Sequence, residues 1–364
     1  NQTSGLPTSA GEIQMADFDD SSEATERQAR ALSTLELGHP VGSAFEYTNA
    51  NYNLLGLIIE AASGEVYADY IQKHIFTPLE MNHSYASQSV AQQNAMAIGH
   101  QYWFATPFVA PNIPVPHGSL PSGQLISSAE DMAHYMIALL NQGRYGDVQI
   151  LSPAGMDELY HGVAEDVQMG ISFGKYGMGW FVDESGSTKL IWHSGTTPNF
   201  GAFMALLPEQ EKGVVMLLNA NHHWMTPVLS DFGGALAALL AGEQPKPVAF
   251  VGVIPWMLRA QLLIPLFQII GVAATLRLLR RWRQAPDSRP IGGRKWGRHV
   301  LLPLISNGLV ALTLLPMLGD TRGYLRLYMP DYAWIAILCG GFAGIWSFLR
   351  TGLVLRALNS SRRS

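Results

Sequence analysis

Apolar positions along the first 240 or so residues follow two periods. Residues 51–63 (NYNLLGLIIEAAS) put Leu54, Leu55, Ile58, Ile59 and Ala62 on one helical face, with Gly64 as a stop. Residues 66–75 continue helically to the Thr77-Pro78 break. Ser127-Ser128-Ala129-Glu130 reads as a capping box opening an amphipathic run over 131–140, and Ser152-Pro153 starts a short helix reaching about Tyr160. The period then shortens. Residues 179–183, 189–192, 201–207 and 213–218 are short runs bounded by turn residues, and they predict sequential antiparallel strands. A helix over 224–241 follows. Residues 8–40 are polar and weakly patterned, predicting a loop, and the proline-rich stretch 101–121 predicts another irregular segment. Helices followed by a strand meander predict an α+β domain, an antiparallel sheet with packed helices, over residues 1–246.

From residue 247 onward the pattern is different. Three long apolar stretches, at about 247–276, 300–318 and 332–349, each reach the length of about 20 residues that a membrane helix needs. Composition sharpens this reading: 48% of the chain is apolar and 14% charged, with mean hydropathy +0.11. The net charge of −5 is an average over two unlike halves. Residues 1–247 carry 8 Lys and Arg against 25 Asp and Glu, and residues 248–364 carry 15 against 3, so the balances are −17 and +12. The cations gather in the loop 277–298 and after residue 349, which the positive-inside rule places on the cytoplasmic side. The expectation is a three-helix, multi-pass anchor in a bacterial cytoplasmic membrane, with the acidic domain extracytoplasmic and the C-terminus cytoplasmic. A basic run can also bind nucleic acid, but these cations flank apolar spans. The partner they predict is the lipid bilayer, including anionic lipids at the 277–298 loop.

One cysteine, Cys339, excludes an intramolecular disulfide and a Cys-rich zinc site. No His-Glu-x-x-His or comparable ligand spacing and no phosphate-binding Gly-rich loop ending in Lys-Ser/Thr occurs, so neither a metal nor another cofactor is expected.

Three local signals carry chemistry. Tyr47-Thr48-Asn49 directly precedes a predicted helix. The tyrosine could carry a proton if a neighbouring cation lowered its pKa, and the asparagine could hold a substrate carbonyl or amide. Taken alone, the three residues are better explained by a buried tyrosine and a helix N-cap at Asn49. His193-Ser194-Gly195 follows a predicted strand, where small residues admit a substrate close to the backbone; an ordinary polar turn explains it equally well. Tyr176-Gly177-Met178-Gly179-Trp180 combines two glycines with an aromatic wall.

In this order, and together with Asn1–Pro7 (NQTSGLP), the whole Tyr47–Ser63 block, Ile75–Met81 (IFTPLEM), Pro121–Ser128 (PSGQLISS) and Leu217-Leu218-Asn219, these blocks resemble the serine β-lactamase-like family. That family includes class C β-lactamases, D-alanyl-D-alanine carboxypeptidases and related esterases. The resemblance covers about residues 1–220 and implies an acyl-enzyme mechanism without a cofactor. It implies that Tyr47 shares proton transfer with the nucleophile's lysine and that Asn49 orients the substrate. His193 would take the first position of a Lys-Thr-Gly-type motif, supporting Tyr47 electrostatically and helping to bind a substrate carboxylate. Ser194, Gly195 and Thr196 would line the substrate, with an oxyanion-hole N–H near Thr196 or Thr197. The implied substrate is a small molecule or a peptidoglycan peptide: a D-alanyl peptide, a β-lactam or a small ester or amide.

The family's nucleophile lies in Ser-x-x-Lys upstream of the Thr-Ser-Gly-Leu-Pro block. This chain begins inside that block, so the expectation is a fragment without its nucleophile, inactive by itself. Its one literal Ser-x-x-Lys, Ser172-Phe173-Gly174-Lys175, falls after Tyr47 and beside glycines, with a strand rather than a helix following, and is rejected. The competing reading is a non-catalytic relative that serves as a binding or sensory module on the membrane.

Overall fold

The computed structural model describes the chain apart from residues 16, 18, 20, 22, 114, 169, 170, 249, 250, 287–295, 317–322 and 360–364. It divides into two compact units. The first is Asn1–Gln101 with Phe108–Val251, and the second is Tyr102–Pro107 with Gly252–Ser364.

The first unit opens with helices α1 (Thr8–Met15), α2 (Ala24–Leu32), α3 (Ala50–Ser63), α4 (Tyr67–Ile71) and α5 (Gln88–Gln93). The hairpin strands β1 (His100–Trp103) and β2 (Thr106–Val109) follow, their tip Tyr102–Pro107 belonging to the second unit, then α6 (Leu120–Gly123) and α7 (Ala129–Leu140). After a small hairpin, β3 (Arg144–Tyr145) and β4 (Val148–Gln149), come α8 (Pro153–Leu159) and six strands in succession. These are β5 (Ala164–Gln168), β6 (Ile171–Tyr176), β7 (Phe181–Asp183), β8 (Leu190–Thr196), β9 (Gly201–Leu207) and β10 (Lys212–Leu218). The short β11 (Ala220–Asn221) and helix α9 (Thr226–Ala241) complete the unit.

The six strands form one antiparallel sheet in sequence order, β10-β9-β8-β7-β6-β5, which is the expected meander with β5 and β6 added. Helices cover both of its faces. Ile191 of β8 and Leu206 of β9 pack with Met136 and Leu139 of α7 and Met156 of α8. The alternate residues Phe203 and Ala205 pack with Leu229 and Ala237 of α9. Burial on both faces explains why β9 reads as a nearly continuous apolar run. Gly233 lets α9 come close, because a Cβ there would lie 2.3 Å from the Phe203 ring.

Several expectations change. Residues 8–32 carry helices where the sequence predicts a loop, and α2 buries Ala24, Gln28 and Leu32 on one side. The α3 boundary and its left-handed Gly64 cap are as expected, but the buried face is Ala50, Asn53 and Gly56, and Leu55 and Ile58 are exposed. The small residues win that face because they allow close approach: a Cβ on Gly56 would lie 2.3 Å from Pro121, and Asn53 donates to Gln14. The N-cap falls one residue later than the predicted capping box. Ser128 accepts from Asp131 N, while the Asp131 carboxylate accepts from His83 N at 2.7 Å and Ser84 Oγ at 2.6 Å. The irregular segment holds the β1–β2 hairpin, and β1 pairs in parallel with β11. Both central residues of that hairpin's turn, Phe104 and Ala105, have positive φ (50° and 64°), where Asn-Gly is the usual solution.

In the described part of the chain, four helices are long and apolar enough to cross a membrane: His223–Ala241, Ile254–Gln284, Gly297–Leu314 and Pro330–Leu358. The first contains α9 and belongs to the sheet's cover. The other three form the second unit, whose polar residues point inward. Gln268 donates to the Cys339 carbonyl (2.8 Å), and Arg350 donates to Thr275 Oγ1 (3.0 Å) and to the His299 carbonyl (2.7 Å). Gln261, Gln268 and Thr275 recur every seventh residue, so one stripe of the first of these helices carries the polar contacts. Of the segment 277–298, where anionic lipid binding is expected, residues 277–284 continue the first of these helices instead of forming a loop, and residues 287–295 lie outside the described residues.

Candidate active site

Three segments far apart in the chain form the candidate site. The loop before α3 is fixed by the first residues of the chain. Gln2, buried and at φ 58°, presents its side-chain carbonyl to Thr48 N (3.1 Å) and Asn51 Nδ2 (2.6 Å). Thr8 Oγ1 donates to the Tyr47 carbonyl at 2.9 Å, and Thr48 Oγ1 accepts from Gly11 N at 3.1 Å. These contacts position Tyr47. Asn49 occupies the N-cap position of α3, without a side-chain cap hydrogen bond.

His193, Ser194, Gly195 and Thr196 lie inside β8 rather than in a turn after it, because the strand runs four residues further than predicted. All four pair with β9, whereas the described ladder with β7 stops at Trp192. One backbone edge of residues 193–196 is therefore left beyond that ladder. Gly195 is exposed, with no atom within 4 Å of where a Cβ would be, so its small size leaves space beside the strand. Ser194 accepts from Ser230 Oγ of α9 at 3.1 Å.

The loop and the strand meet in an aromatic cluster. The Tyr47 ring lies 6.3 Å from the His193 ring and 6.1 Å, edge-on, from Tyr176. Phe181 stacks on His193 at 5.6 Å, and Tyr176 Oη lies 3.2 Å from His193 Nε2. Desolvation in this surrounding pushes the His193 imidazole down to about 4, against a weaker opposing hydrogen bond to the Ser194 backbone. At neutral pH His193 is uncharged. Burial, with a smaller contribution from Tyr52, pushes the Tyr47 hydroxyl up to about 12. Tyr176 is raised well above the ordinary phenol range, again by burial first and then by Tyr52 and Tyr47, so it keeps its proton and can donate to His193 Nε2. In this state His193 offers a hydrogen-bonding group to Tyr176.

Sequence reasoning brings out Tyr47, Asn49 and the 193–196 segment, and the fold places Tyr47 against His193. It misses Gln2 and Tyr52, and gives Tyr176 only the part of a wall. No periodicity marks Gln2. Its role depends on a left-handed backbone and on partners more than forty residues away. Among the described residues, no three His, Cys, Asp or Glu side chains come together as a metal site would need.

An antiparallel sheet covered by helices on both faces, with a tyrosine loop facing a strand that carries His-Ser-Gly-Thr, defines a β-lactamase/transpeptidase-like fold. Residues 1–235 match the family described as Beta-lactamase, and the chain belongs to that family. Among curated proteins it is similar to Protein flp of Staphylococcus aureus (strain MW2), with 33% identity over 200 residues covering 54% of this chain and 37% of that protein. It is also similar to the unguisins hydrolase ungD' of Aspergillus campestris, at 24% identity covering 53% of this chain and 36% of the relative. Among solved structures, the octameric penicillin-binding protein homologue from Pyrococcus abyssi superposes with a TM-score of 0.56 at 26% identity, covering 68% of this chain and 55% of that one. The chain spans less than half the length of these curated relatives.

Proposed function

We propose that this chain acts in a membrane-anchored serine hydrolase that works through an acyl-enzyme on amide or ester carbonyls: D-alanyl peptides, β-lactams or small esters. The carrying observation is the meeting of Tyr47 with His193 beside the part of β8 that extends past its β7 ladder. An extended substrate can lie against that edge, with Ser194, Gly195 and Thr196 as its backbone partners and the Thr196 or Thr197 N–H near the oxyanion. Asn49 orients the scissile group. Tyr47 relays the proton, and because burial, with a smaller contribution from Tyr52, holds it near 12, it needs a cation brought to it. In this family that cation is the lysine of Ser-x-x-Lys, a pattern this chain matches literally only at Ser172–Lys175, within β6 instead of at a helix start. His193 keeps Tyr176 and Tyr47 in place as a neutral partner.

The basic 248–364 region and its three apolar helices support a cytoplasmic-membrane anchor with the acidic domain on the outer side. The test is expression together with the reading frame upstream of Asn1, followed by fluorescent-penicillin labelling and p-nitrophenyl ester turnover. The expected result is a covalent label whose formation slows by about 10²–10⁴-fold in Tyr47→Phe, the usual contribution of a positioned proton carrier. An intact upstream frame without Ser-x-x-Lys would sink the enzymatic reading.

A further inference from the structure

The second unit contains a piece of chain that is not one of its apolar helices: residues 102–107, the end of the β1–β2 hairpin. Within this unit Asp331, in the first turn of helix Pro330–Leu358, is completely buried. Its Oδ2 accepts from Gln261 Nε2 of helix Ile254–Gln284 at 2.8 Å and from the backbone N–H of Phe104 at 3.0 Å. Oδ1 accepts from Tyr332 N at 2.7 Å. The Phe104 ring packs against Leu314, Ile335, Ala336 and Cys339, with Ile264 and Val310 beside them. Phe104, itself partly buried, thus packs on a cluster that draws on all three apolar helices.

Two features make this more than incidental packing. A carboxylate in an apolar environment is costly unless donors converge on it, and here one donor is the backbone of a separate segment. The turn is also held in a conformation its residues disfavour. Phe104 and Ala105 both have positive φ, which places the Phe104 N–H on the carboxylate and its ring among the helices. A turn selected for its own stability would carry Asn-Gly at these positions.

We infer that the three apolar helices form a socket for the hairpin tip, in which Phe104 is the plug and Asp331, steadied by Gln261, is the acceptor that fixes its backbone. The helices are thus a binding site for a segment of this chain as well as an anchor. The ligand they fit is an aromatic side chain with a free N–H on the same residue, and Asp331 acts as a positioning residue.

The chain's one cysteine lies in the wall of this socket and is 4% exposed, so it reports on the socket directly. The test is the rate of N-ethylmaleimide labelling of Cys339 in the full chain in membranes, read by mass spectrometry. Phe104→Ala is expected to speed labelling by about tenfold or more, as local opening exposes a protected group. Asp331→Ala should speed it in the same direction. Phe104→Leu, which refills the socket, should keep most of the protection. Leu338→Ala, on the exposed side next to Cys339, should leave the rate unchanged. Wild-type labelling in Phe104→Ala overturns the proposal. So does equally fast labelling in Phe104→Ala, Phe104→Leu and Leu338→Ala, which would report general loosening of the helices instead of an emptied socket.

Discussion

The two units of this molecule are built inside out with respect to each other. In the first, Ile191, Leu206, Phe203 and Met156 are almost fully buried between sheet and helices. In the second, Phe267, Ile269, Leu312 and Phe348 are exposed, while Gln261, Thr275, Asp331, Ser347 and Arg350 are buried. Apolar burial drives folding only where water is the alternative. A unit that keeps its apolar side chains outside and its hydrogen-bonding side chains inside fits a surrounding with neither water nor donors, where close packing and interhelical hydrogen bonds hold helices together. The −17 and +12 charge halves are the same contrast seen in sequence.

Matched truncations test the contrast most strongly. Ile191→Ala removes a fully buried side chain and is expected to cost about 2–5 kcal/mol. Ile269→Ala, on the outward side of the second unit, is expected to cost less than about 1 kcal/mol, since its surroundings are fluid and apolar in either state. Denaturant unfolding of the full chain in detergent micelles measures both, and equal losses would break the comparison.

A smaller effect should belong to the first unit alone. His193 is held near 4 when folded, against its ordinary 6.5, so between these values the unfolded chain binds more protons than the folded one. The associated stability is complete above about pH 6.5 and is lost as the pH falls toward 4. Unfolding midpoints measured across that window should fall with pH in the wild type and less steeply in His193→Gln. A parallel slope in both proteins would assign the effect to other groups.

The smallest expected change is in the hairpin turn. Ala105→Gly relieves a positive φ at a residue with a Cβ, and a gain of up to about 1 kcal/mol is expected in a thermal melt in micelles. A loss would mean that the turn is not strained at that residue.

The strand meander, the start of α7 near Ser128 and the end of α3 at Gly64 could be read from the sequence because each rests on neighbours in the chain: alternation, a capping hydroxyl, a glycine in left-handed conformation. The apolar stripe of α3 misled for the opposite reason. Leu55 and Ile58 have the right period, but the face that packs is chosen by what can approach it, and Gly56 and Asn53 admit Pro121 and Gln14. Helix α2 was hidden because its buried side includes Gln28, a polar residue. At the site, Tyr47 and His193 were visible as chemical types, while Gln2 and Tyr52 were not, because neither belongs to a local pattern.

The sequence by itself determined the family, the division into an acidic and a basic half, and the residue types available for chemistry, since composition, period and motif order are properties of the chain read in one dimension. Only the tertiary structure decided the protonation of that chemistry. Whether His193 brings a charge depends on Tyr47, Tyr176 and Phe181 surrounding it, and the desolvation they impose comes from segments that meet only in the fold. The same holds for Asp331, whose donors come from Gln261 and Phe104. Long-range pairing selects each group's electrostatic environment, and a one-dimensional pattern does not carry it.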